Sequence, residues 1–332
     1  MRAKRYYFLI IFSLLFFSSS YCFSQINEEK AERLPREELP QVNLPTYKLK
    51  MQAGVFTGFD SNVYLDNTRK GDVFQEFIYA LKFNKPLTEG INFNFRYTLD
   101  YFNYSEATDY SNLLNWFVFD INKKISNFTI GTGADISFLY YPDNKEGDFV
   151  FHKGFVYIGN DLTNKIYHQI KVYYGTKRYL YEKALFDTAT TYQDKERQDK
   201  RQQYEYLISY KFSDKLNLRL RSNFYINDSN ARYIDFYDYK ANSGSFGFDY
   251  KFSSRSYFLF DYLYEKKNYT TRTVTNRDYR QKDRLSVVNL GFYYFINKNV
   301  VSLKYAHRDN FSNDKLSRYS ENMMTCGWQA FF

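Results

Sequence analysis

The sequence contains few of the residues that build disulfide frameworks and metal sites. Only two of its 332 residues are cysteine, Cys22 and Cys326, and only three are histidine. If Cys22 is removed with an export signal, Cys326 remains alone and an intramolecular disulfide cannot form. The histidines and cysteines form no cluster with metal-site spacing, and the carboxylates lack the spacing of a calcium loop. We therefore expect no metal ion and no other cofactor.

Proline, glycine and long apolar runs are also scarce. With 5 Pro and 14 Gly, the chain is not a low-complexity sequence. After the N-terminal segment, no run of about 18 apolar residues occurs, so the sequence predicts no membrane-spanning helix. The formal net charge of +9 includes Arg2, Lys4 and Arg5, which lie in a segment expected to be removed. The remaining excess is spread out, and no basic helix or basic–aromatic module accompanies it, which argues against nucleic-acid binding.

Aromatic residues are abundant instead. The chain has 36 Tyr and 34 Phe, which makes 22% of it aromatic, yet its mean hydropathy is −0.61. A buried globular core would use more Leu, Val and Ala. Many aromatic residues with a polar average are typical of two-faced strands that carry aromatic girdles at membrane interfaces.

The N-terminus has the pattern of a secretory signal peptide. Basic residues precede an apolar run from Tyr6 to Phe17, and serines follow it. We expect cleavage after Ser24, which defines a signal peptide over residues 1–24. A lipobox ending at Cys22 is an alternative, although Tyr21 fits that motif poorly. An exported chain without a second anchor is either a soluble protein or a membrane barrel.

Residues 25–46 differ from the rest of the chain in being charged, proline-containing and nearly free of aromatics. They are too few for a folded domain, so we expect a periplasmic N-terminal arm. A small plug inside a barrel is the alternative. Residues 47–332 form the third part of the chain, which we expect to be an outer-membrane β-barrel.

From Tyr47 onward, long alternating stretches recur at intervals of about twenty residues. Fourteen candidate strands fit the pattern, and an even number is what bacterial single-chain barrels require. Tilted membrane strands need only about 9–11 residues, so most of these strands would project beyond the bilayer. The predicted spans are 47–60, 71–84, 90–104, 110–122, 127–140, 148–160, 166–181, 200–213, 215–228, 235–252, 255–268, 282–296, 299–310 and 317–332.

The connections between these strands alternate in length. Those after even-numbered strands are short, such as Ser213–Asp214, Ser253–Ser254 and Asn297–Lys298. Those after odd-numbered strands are longer and more charged, such as Asn62–Asp72, Lys183–Lys200 and Lys266–Asp283. Short periplasmic turns and long outer loops are the asymmetry of outer-membrane barrels. We expect Lys183–Lys200 to be a flexible outer loop or, alternatively, an inward-folded constriction.

Apolar and polar residues alternate cleanly in the third, ninth and eleventh strands. In the third, Phe95 and Tyr97 lie on one face and Arg96 on the other. A charged residue facing lipid at mid-bilayer would cost about 2–4 kcal/mol, so the charged face must be the lumen. Glycines in phase with that face leave room for neighbouring aromatic rings. The strands that contain Trp116 and His152 alternate less regularly, and their facing stays open.

The alternation assigns a set of charged side chains to the lumen, where they would form a mixed-charge, somewhat basic lining that selects solutes. The alternative is a lumen braced by cross-strand ion pairs with no path for solutes. Arg219 and Arg221, with two lysines two strands away, would form a basic wall that attracts anions. The predicted pore-lining residues are Arg96, Asp100, Lys171, Lys177, Arg219, Arg221, Asp261, Glu265, Lys304 and Arg308.

The final strand has one apolar and one polar face. Trp328 and Phe332 are predicted to face lipid. Gln329 and Glu321 are predicted to face the lumen. A chain that ends on such a strand and a terminal aromatic resembles the C-terminal signal read by the barrel-assembly machinery. We therefore predict Trp328 and Phe332 as the assembly signal, and this strand must pair with the first to close the sheet.

The segment Gly58–Asp66, which reads GFDSNVYLD, resembles the opening of barrels of the putative β-barrel porin 2 type. Barrels of surface-lipoprotein assembly modulators open similarly, but those proteins carry a helical-repeat domain before the barrel, where this chain has only residues 25–46. The heavy use of Tyr, Phe, Asn and Lys is similar to that of Bacteroidetes outer-membrane proteins. The motif covers nine residues and transfers no catalytic residue.

Catalysis finds little support in the sequence. His168 and His307 fall in phase with lipid-facing residues, and no Ser-His-acid arrangement can be argued. We therefore expect a chain that is not an enzyme and has no catalytic residues. Asp60, Asp66 and Asp72 in the first outer loop would either bind a cation or be solvated.

The sequence as a whole predicts an all-β protein. It would be a single transmembrane antiparallel β-barrel of about 14 strands in the outer membrane of a Gram-negative bacterium. The predicted function is a porin or channel that passes small hydrophilic solutes. Two alternatives stay open: an accessory barrel for export of a polysaccharide or surface lipoprotein, and a structural or adhesive barrel with a closed lumen. The expected partners are outer-membrane lipid, the barrel-assembly machinery and a small hydrophilic solute.

Overall fold

The computed structural model describes residues 15–16, 37–38, 48–66, 69–188 and 190–332. The predicted signal peptide and N-terminal arm lie outside the described residues, apart from Leu15–Phe16, which pairs antiparallel with Glu37–Glu38. The division of the chain into three parts and the cleavage after Ser24 therefore stay predictions.

Fourteen antiparallel strands form one closed barrel, which confirms the predicted fold class. Each strand pairs with its neighbours in the sequence, and the last pairs with the first. The strands are β1 Lys48–Asp60, β2 Asp72–Thr88, β3 Ile91–Tyr104, β4 Asn112–Ile125, β5 Phe128–Tyr140, β6 Phe149–Asp161, β7 Ile166–Leu185, β8 Tyr192–Lys211, β9 Leu216–Ser229, β10 Tyr239–Lys251, β11 Ser256–Thr273, β12 Arg280–Ile296, β13 Asn299–Ser312 and β14 Tyr319–Phe331.

Tight turns join even-numbered strands to their successors, as predicted. Gly90, Ser126 and Asn297 have positive φ angles of 73°, 55° and 56°, the conformation that tight hairpin turns need to match strand twist. Longer loops lie at the opposite end of the barrel. Several of these loops contain one turn of 3-10 helix: Thr108–Tyr110, Lys145–Gly147, Tyr233–Asp235 and Lys315–Ser317. In the part of the chain that the structure describes, no helix is long and apolar enough to cross a membrane.

Two of the predicted long loops are mostly strand. β7 ends at Leu185 and β8 begins at Tyr192, so most of Lys183–Lys200 is a hairpin. The predicted Lys266–Asp283 loop is shortened in the same way, to residues 274–279. Beyond the bilayer, water solvates both faces of a strand while its hydrogen-bond ladder continues, so charge on both faces does not end it. The prediction of a flexible loop over 183–200 is therefore wrong.

The last strand closes the barrel against the first. Trp328 is the register partner of Val55 in the antiparallel pairing of β14 with β1. Beyond that pairing, the Phe332 backbone N–H donates to Met51 O at 2.9 Å, and the Met51 N–H donates to Phe332 O at 3.4 Å. Closure leaves no open strand edge, whose unsatisfied N–H and C=O groups would be costly in hydrocarbon.

Burial alternates along the strands and gives the facing of each side chain. Trp116, whose facing the sequence left open, points inward and is 3% exposed. His152 is exposed on the outward face of β6. Inward glycines accept neighbouring rings, as predicted. At Gly131, for example, the Tyr157 ring occupies the space where a Cβ would lie, so large aromatic side chains can lie flat on the inner wall.

Candidate functional site

The ten residues predicted to line a pore all lie on the inward faces of their strands. They follow the phase of the buried positions and are Arg96 and Asp100 on β3, Lys171 and Lys177 on β7, Arg219 and Arg221 on β9, Asp261 and Glu265 on β11, and Lys304 and Arg308 on β13. Their surroundings differ, because Arg308 is 1% exposed whereas Arg96 and Lys171 are only partly buried. A shared facing does not by itself make an open path, so the pore lining stays a prediction.

The pair Arg219 and Arg221 does not form a wall of uncompensated positive charge. The Arg219 guanidinium contacts the Asp249 carboxylate and lies 3.7 Å from the Asp261 carboxylate. Arg221 Nε lies 3.8 Å from Glu205 Oε2. At these distances each carboxylate offsets much of the field of its guanidinium partner. The predicted basic wall therefore fails at β9, because the register of β8, β10 and β11 brings carboxylates beside both arginines.

A different set of cations follows the inner faces of β6, β7 and β8, where each is seated on an aromatic ring. Lys171 Nζ lies 3.8 Å from the centroid of the Phe155 ring. Lys177 Nζ lies 3.8 Å from the centroid of the Phe149 ring. We call this set the cation–aromatic stripe; its cations are Lys153, Lys171, Lys177, Arg197 and Arg201, and its rings are Phe149, Phe151, Phe155 and Tyr179.

The rings hold the stripe's cations in place, and carboxylates lie beside several of these cations. An aromatic face attracts a cation through its quadrupole but carries no net charge. At its ends the stripe also has carboxylates, since Lys153 Nζ lies 3.2 Å from Asp135 Oδ2 and Arg197 Nη2 lies 2.7 Å from an oxygen of the Asp199 carboxylate. The inward positions of β7 from 167 to 179 contain two lysines and no carboxylate, but the register of β8 places Glu205 opposite Lys171 and Asp199 opposite Lys177. The five cations of the stripe therefore lie beside four carboxylates, which are Asp135, Glu182, Asp199 and Glu205.

Sequence reasoning missed Lys153, Arg197 and Arg201. Lys153 lies on β6, whose irregular alternation left the facing open, and Arg197 lay in the segment interpreted as a loop. Arg197, Asp199 and Arg201 are spaced two residues apart, and this period places all three side chains on one face of a strand. That spacing is the sequence feature from which their shared facing could have been predicted. Their aromatic partners come from neighbouring strands, and a single sequence does not give that register.

A fully buried ionic cluster lies where β13, β14, β1 and β3 meet. Arg308 Nη1 lies 3.0 Å from Glu321 Oε2, and both side chains are 1% exposed. The Tyr104 hydroxyl donates to Asp60 Oδ2 at 2.9 Å, and the Asn62 backbone N–H donates to Asp60 Oδ1 at 2.8 Å. Asp60 also interacts electrostatically with both Glu321 and Arg308. A buried charge is tolerated only with such partners, so these groups depend on one another.

The first outer loop folds into the mouth of the barrel. Val63 and Leu65 are 0% and 2% exposed and belong to the same buried cluster as inward-facing rings of β2 and β3. The Asn62 side-chain amide donates to a β14 backbone carbonyl at 3.0 Å, which ties the loop to the closing strand. A constriction was predicted as an alternative at Lys183–Lys200; the structure instead places inward-folded residues at the start of this first loop.

The carboxylates around the first outer loop are not a solvated group. Asp60 and Asp72 are 0% and 7% exposed. Asp72 Oδ2 accepts the backbone N–H groups of Glu106 and Ala107 at 2.8 and 2.9 Å, so it organises the next outer loop. Asp66 is partly buried. Within the described residues, no group of three or more His, Cys, Asp or Glu side chains could hold a metal ion. Asp60 and Asp72 are structural hydrogen-bond acceptors.

The outer loop before β10 packs onto the upper end of the stripe. The Tyr237 hydroxyl donates to Glu182 Oε1 at 2.9 Å, and its ring centroid lies 3.2 Å from the Arg197 guanidinium carbon. At the end of this loop, Asp238 Oδ1 accepts the Ser229 backbone N–H at 2.7 Å. Burial raises the pKa of Asp238 to about 6, although the hydrogen bond from Ser229 acts in the opposite direction.

Asp238 predicts a pH dependence for this loop. Because its folded pKa of about 6 exceeds the usual value of about 3.9, the protonated carboxyl stabilises the folded loop. That contribution is complete below about pH 4 and is lost as the pH rises through about 6. The Thr270 backbone N–H donates to the Asp238 carbonyl oxygen at 2.9 Å. We expect the Thr270 amide to exchange its hydrogen faster at pH 7.5 than at pH 5, after correction for intrinsic rates. Asp238→Asn keeps the acceptor oxygen without the charge and should remove this difference; an unchanged pH dependence in the variant would refute the assignment.

On the outward face of β13, His307 forms a hydrogen-bonded group with Asp309 and Asn322 that the sequence did not reveal. His307 Nε2 lies 2.8 Å from Asp309 Oδ2, and its Nδ1 lies 2.9 Å from Asn322 Oδ1. The Tyr305 hydroxyl donates to the same Asn322 oxygen at 2.7 Å. His307 and Asp309 are two residues apart, so their position on the same face of a strand can be predicted from the sequence. Asn322, however, reaches the imidazole only through the register of β14 against β13.

Solved structures match this chain at low sequence identity. No protein-family model matches the sequence, and no curated protein matches it. OmpT of Vibrio cholerae, in a form lacking loop L8, matches with a TM-score of 0.50 and 10% identity over 87% of this chain and 100% of that chain. An anion-selective porin from Comamonas acidovorans matches with a TM-score of 0.49 and 9% identity over 86% of this chain and 99% of that chain. The CymD monoaromatic hydrocarbon channel matches with a TM-score of 0.48 and 10% identity over 87% of this chain and 89% of that chain.

The match to OmpT corrects the expectation that the chain is not an enzyme. That expectation rested on the lipid-facing phase of His168 and His307 and on the lack of a Ser-His-acid arrangement in the sequence. The architecture is shared with OmpT at 10% identity, and a shared fold gives no ground for excluding catalysis. In the structure, His307 has an acidic partner in Asp309. The expectation is therefore withdrawn.

At these identities the comparisons establish architecture alone. The likeness to the porin 2 type and to Bacteroidetes proteins stays a resemblance based on sequence motifs and composition. The closed antiparallel barrel and its match to OmpT show that the chain has the fold of outer-membrane β-barrel proteins.

Proposed function

We propose that the chain is an outer-membrane channel that passes small hydrophilic solutes down their gradients and favours anions. The observation that carries this proposal is the cation–aromatic stripe on the inner faces of β6 to β8. A 14-stranded barrel encloses more room than a filled 8-stranded barrel and less than the 16-stranded porins. Its lumen is therefore narrow enough for wall charges to act on a passing solute.

The physical argument concerns charge at close range. Lys171 and Lys177 point inward with their ammonium groups seated on rings; Lys171 is partly exposed, whereas Lys177 is 1% exposed and acts on a solute through the field of its charge. At about 8 Å and an effective dielectric constant of about 40, one unit charge changes the energy of a passing ion by about 1 kcal/mol. Channels select ions by such rings and rows of charge. Carboxylates beside Arg219 and Arg221 reduce the contribution of these arginines to the field. Glu205 and Asp199 act on Lys171 and Lys177 in the same way.

The test is the ion selectivity of the purified protein in planar lipid bilayers. We expect single-channel current steps and a reversal potential, under a salt gradient, on the anion side. Replacing Lys153, Lys171 and Lys177 with Gln removes three stripe charges while nearly preserving side-chain length. The anion-to-cation permeability ratio should then fall roughly fivefold or more, because each charge changes the energy of a passing ion by about 1 kcal/mol.

A matched control separates the stripe from overall charge. Lys123, Lys266 and Lys298 are exposed and lie outside the strands of the stripe, and their triple Gln variant changes the net charge equally. Its selectivity should match that of the unchanged protein. Equal shifts in both triple variants would remove the stripe as the selectivity determinant. The absence of current steps at every voltage would refute the channel proposal. It would favour the second candidate, a structural barrel with a closed lumen. The burial of Val63 and Leu65 in the mouth of the barrel supports that candidate.

Location and assembly belong to the same proposal. The chain would be exported by the signal peptide over residues 1–24 and inserted into the outer membrane by the barrel-assembly machinery. Trp328 and Phe332 are the proposed assembly signal; they are 48% and 66% exposed on the outward side of the seam. In that position they would contact lipid at the periplasmic rim, as girdle aromatics do.

A further inference from the structure

Four cations lie together on the outward face of the barrel near the outer ends of β10, β11 and β12. Lys266 and Arg284 are direct register partners, and Lys240 and Lys282 are diagonal neighbours of Lys266. All four side chains are exposed. We call Lys240, Lys266, Lys282 and Arg284 the outer basic patch. No ion pair joins any of them to a carboxylate among the described residues.

Like charges directly opposite each other on a sheet destabilise the pairing. The pairing of Lys266 with Arg284 therefore carries a cost unless an anion lies between them. Asn242 and Asn268 are the register partners of Lys266 and Lys240, on the same face. Their side-chain amides can donate hydrogen bonds to anionic oxygens beside the cations. The patch thus combines charge with directed donors, as anion-binding surfaces do.

The patch lies at the level expected for lipid headgroups. Ten residues, 256–265, separate the periplasmic end of β11 from Lys266, and twelve residues, 285–296, follow Arg284 in β12. A tilted strand crosses the hydrocarbon in about 9–11 residues. Just below the patch, the outward rings of Tyr262 and Tyr264 are 37% and 41% exposed, which is where an aromatic girdle marks the interface.

The patch differs from the other outward basic residues near the outer rim. On β7 and β8, Lys183 and Lys200 have carboxylates, Glu196 and Asp228, as register partners. The corresponding outward positions near the outer ends of β1, β2 and β3 are Phe59, Val73 and Tyr101. A general attraction to a charged surface would distribute basic residues around the rim. A compact group on three adjacent strands instead fits a ligand of limited size with several negative charges.

We infer that the outer basic patch binds the phosphate groups of a phosphorylated glycolipid in the outer leaflet. The inference rests on the proposed outer-membrane location but not on the channel. Lys and Arg near an anionic membrane surface each contribute about 1 kcal/mol, which is about fivefold in affinity per residue. Three substitutions should therefore weaken lipid binding on the order of a hundredfold. Arg284 supplies a planar fork that can hold two phosphate oxygens at once.

The experiment measures lipid retained by the full chain. Detergent-solubilised barrel is incubated with lipopolysaccharide, isolated by size exclusion and assayed for lipid phosphorus per barrel. The unchanged protein should retain lipid, and the Lys240→Ser, Lys266→Ser, Arg284→Ser variant should lose most of it. The control variant Lys183→Ser, Lys195→Ser, Lys200→Ser removes the same charge from another exposed region and should retain lipid. Heat-modifiable gel migration reports whether each variant is folded.

Two further arms identify the ligand chemistry. Treating the lipopolysaccharide with phosphatase should weaken its binding to the unchanged protein. The loss should equal the loss that the patch variant shows with untreated lipopolysaccharide. Excess inorganic phosphate should compete only weakly, because it lacks the lipid's several charges and its membrane position. Equal retention by the patch and control variants would overturn the inference, as would full displacement by inorganic phosphate, which would indicate a free-anion site. Bilayer conductance is measured separately, so failure of the channel proposal and failure of this one are distinguishable.

Discussion

Replacing Arg308 with Met is expected to destabilise the barrel by about 3–5 kcal/mol, the usual cost of removing one partner of a buried ion pair. Arg308 and Glu321 are both 1% exposed and 3.0 Å apart. The substitution leaves Glu321 buried close to Asp60 without its guanidinium partner. Two carboxylates would then share a site that excludes water, where an isolated charge is poorly tolerated. The barrel should unfold at a lower urea concentration in lipid vesicles, as followed by gel migration without heating.

The double variant Arg308→Met, Glu321→Met is the control for this result. It removes both charges while keeping side-chain volume, and such replacements are often close to neutral. Recovery of stability in the double variant would assign the loss to the unpaired carboxylate. If the double variant is as unstable as the single one, the loss comes from packing or from the hydrogen bonds around Asp60, and the ion-pair explanation is wrong.

Releasing the first outer loop is expected to increase single-channel conductance. Val63 and Leu65 are 0% and 2% exposed in the mouth of the barrel, and burial of each such side chain contributes about 1.5–3 kcal/mol. Val63→Asp with Leu65→Asp replaces both with charged groups that have no partners in that cluster. The loop should leave the mouth, because burying an isolated carboxylate costs more than exposing the loop. The measurement is conductance in planar bilayers, compared with the unchanged protein.

A matched control places the same substitutions in other outer loops. Leu316 and Phe186 are apolar loop residues that are 62% and 45% exposed. Their double Asp variant should conduct like the unchanged protein, since neither side chain is buried. A rise in conductance in both variants would point to added surface charge, and no rise in the Val63 and Leu65 variant would mean that the first loop does not narrow the path.

The strand pattern was predictable because it follows from a local rule. Side chains alternate between two faces with a period of two, and a charge on the lipid face is costly. Arg96 and Asp100 on β3 could therefore be assigned to the interior from sequence alone. The rule weakens where lipid no longer contacts one face. The outer ends of β7 and β8 are polar on both sides, so the pattern predicts a loop there and does not identify Arg197 as an inward-facing residue.

Partnerships across strands were not predictable, since they depend on register. Arg219 and Arg221 appeared as a basic pair along one strand, and only their neighbours Asp249 and Glu205 reveal that the charge is compensated. The same holds for Lys171, whose ring partner Phe155 comes from the adjacent strand. A single sequence gives the facing of a residue, but neither the height nor the identity of the residue beside it.

The amino-acid sequence by itself determined that this chain forms a closed barrel of 14 strands, because alternation, even strand count and asymmetric connections are local properties that lipid and backbone hydrogen bonding impose. The tertiary structure alone decided which charges are paired, which are seated on rings and which loop enters the mouth. Those contacts join residues far apart in the chain, such as Asp60 with Tyr104 or Arg308 with Glu321. These contacts form only when the strands have paired in their final register, and the candidate site consists of such contacts.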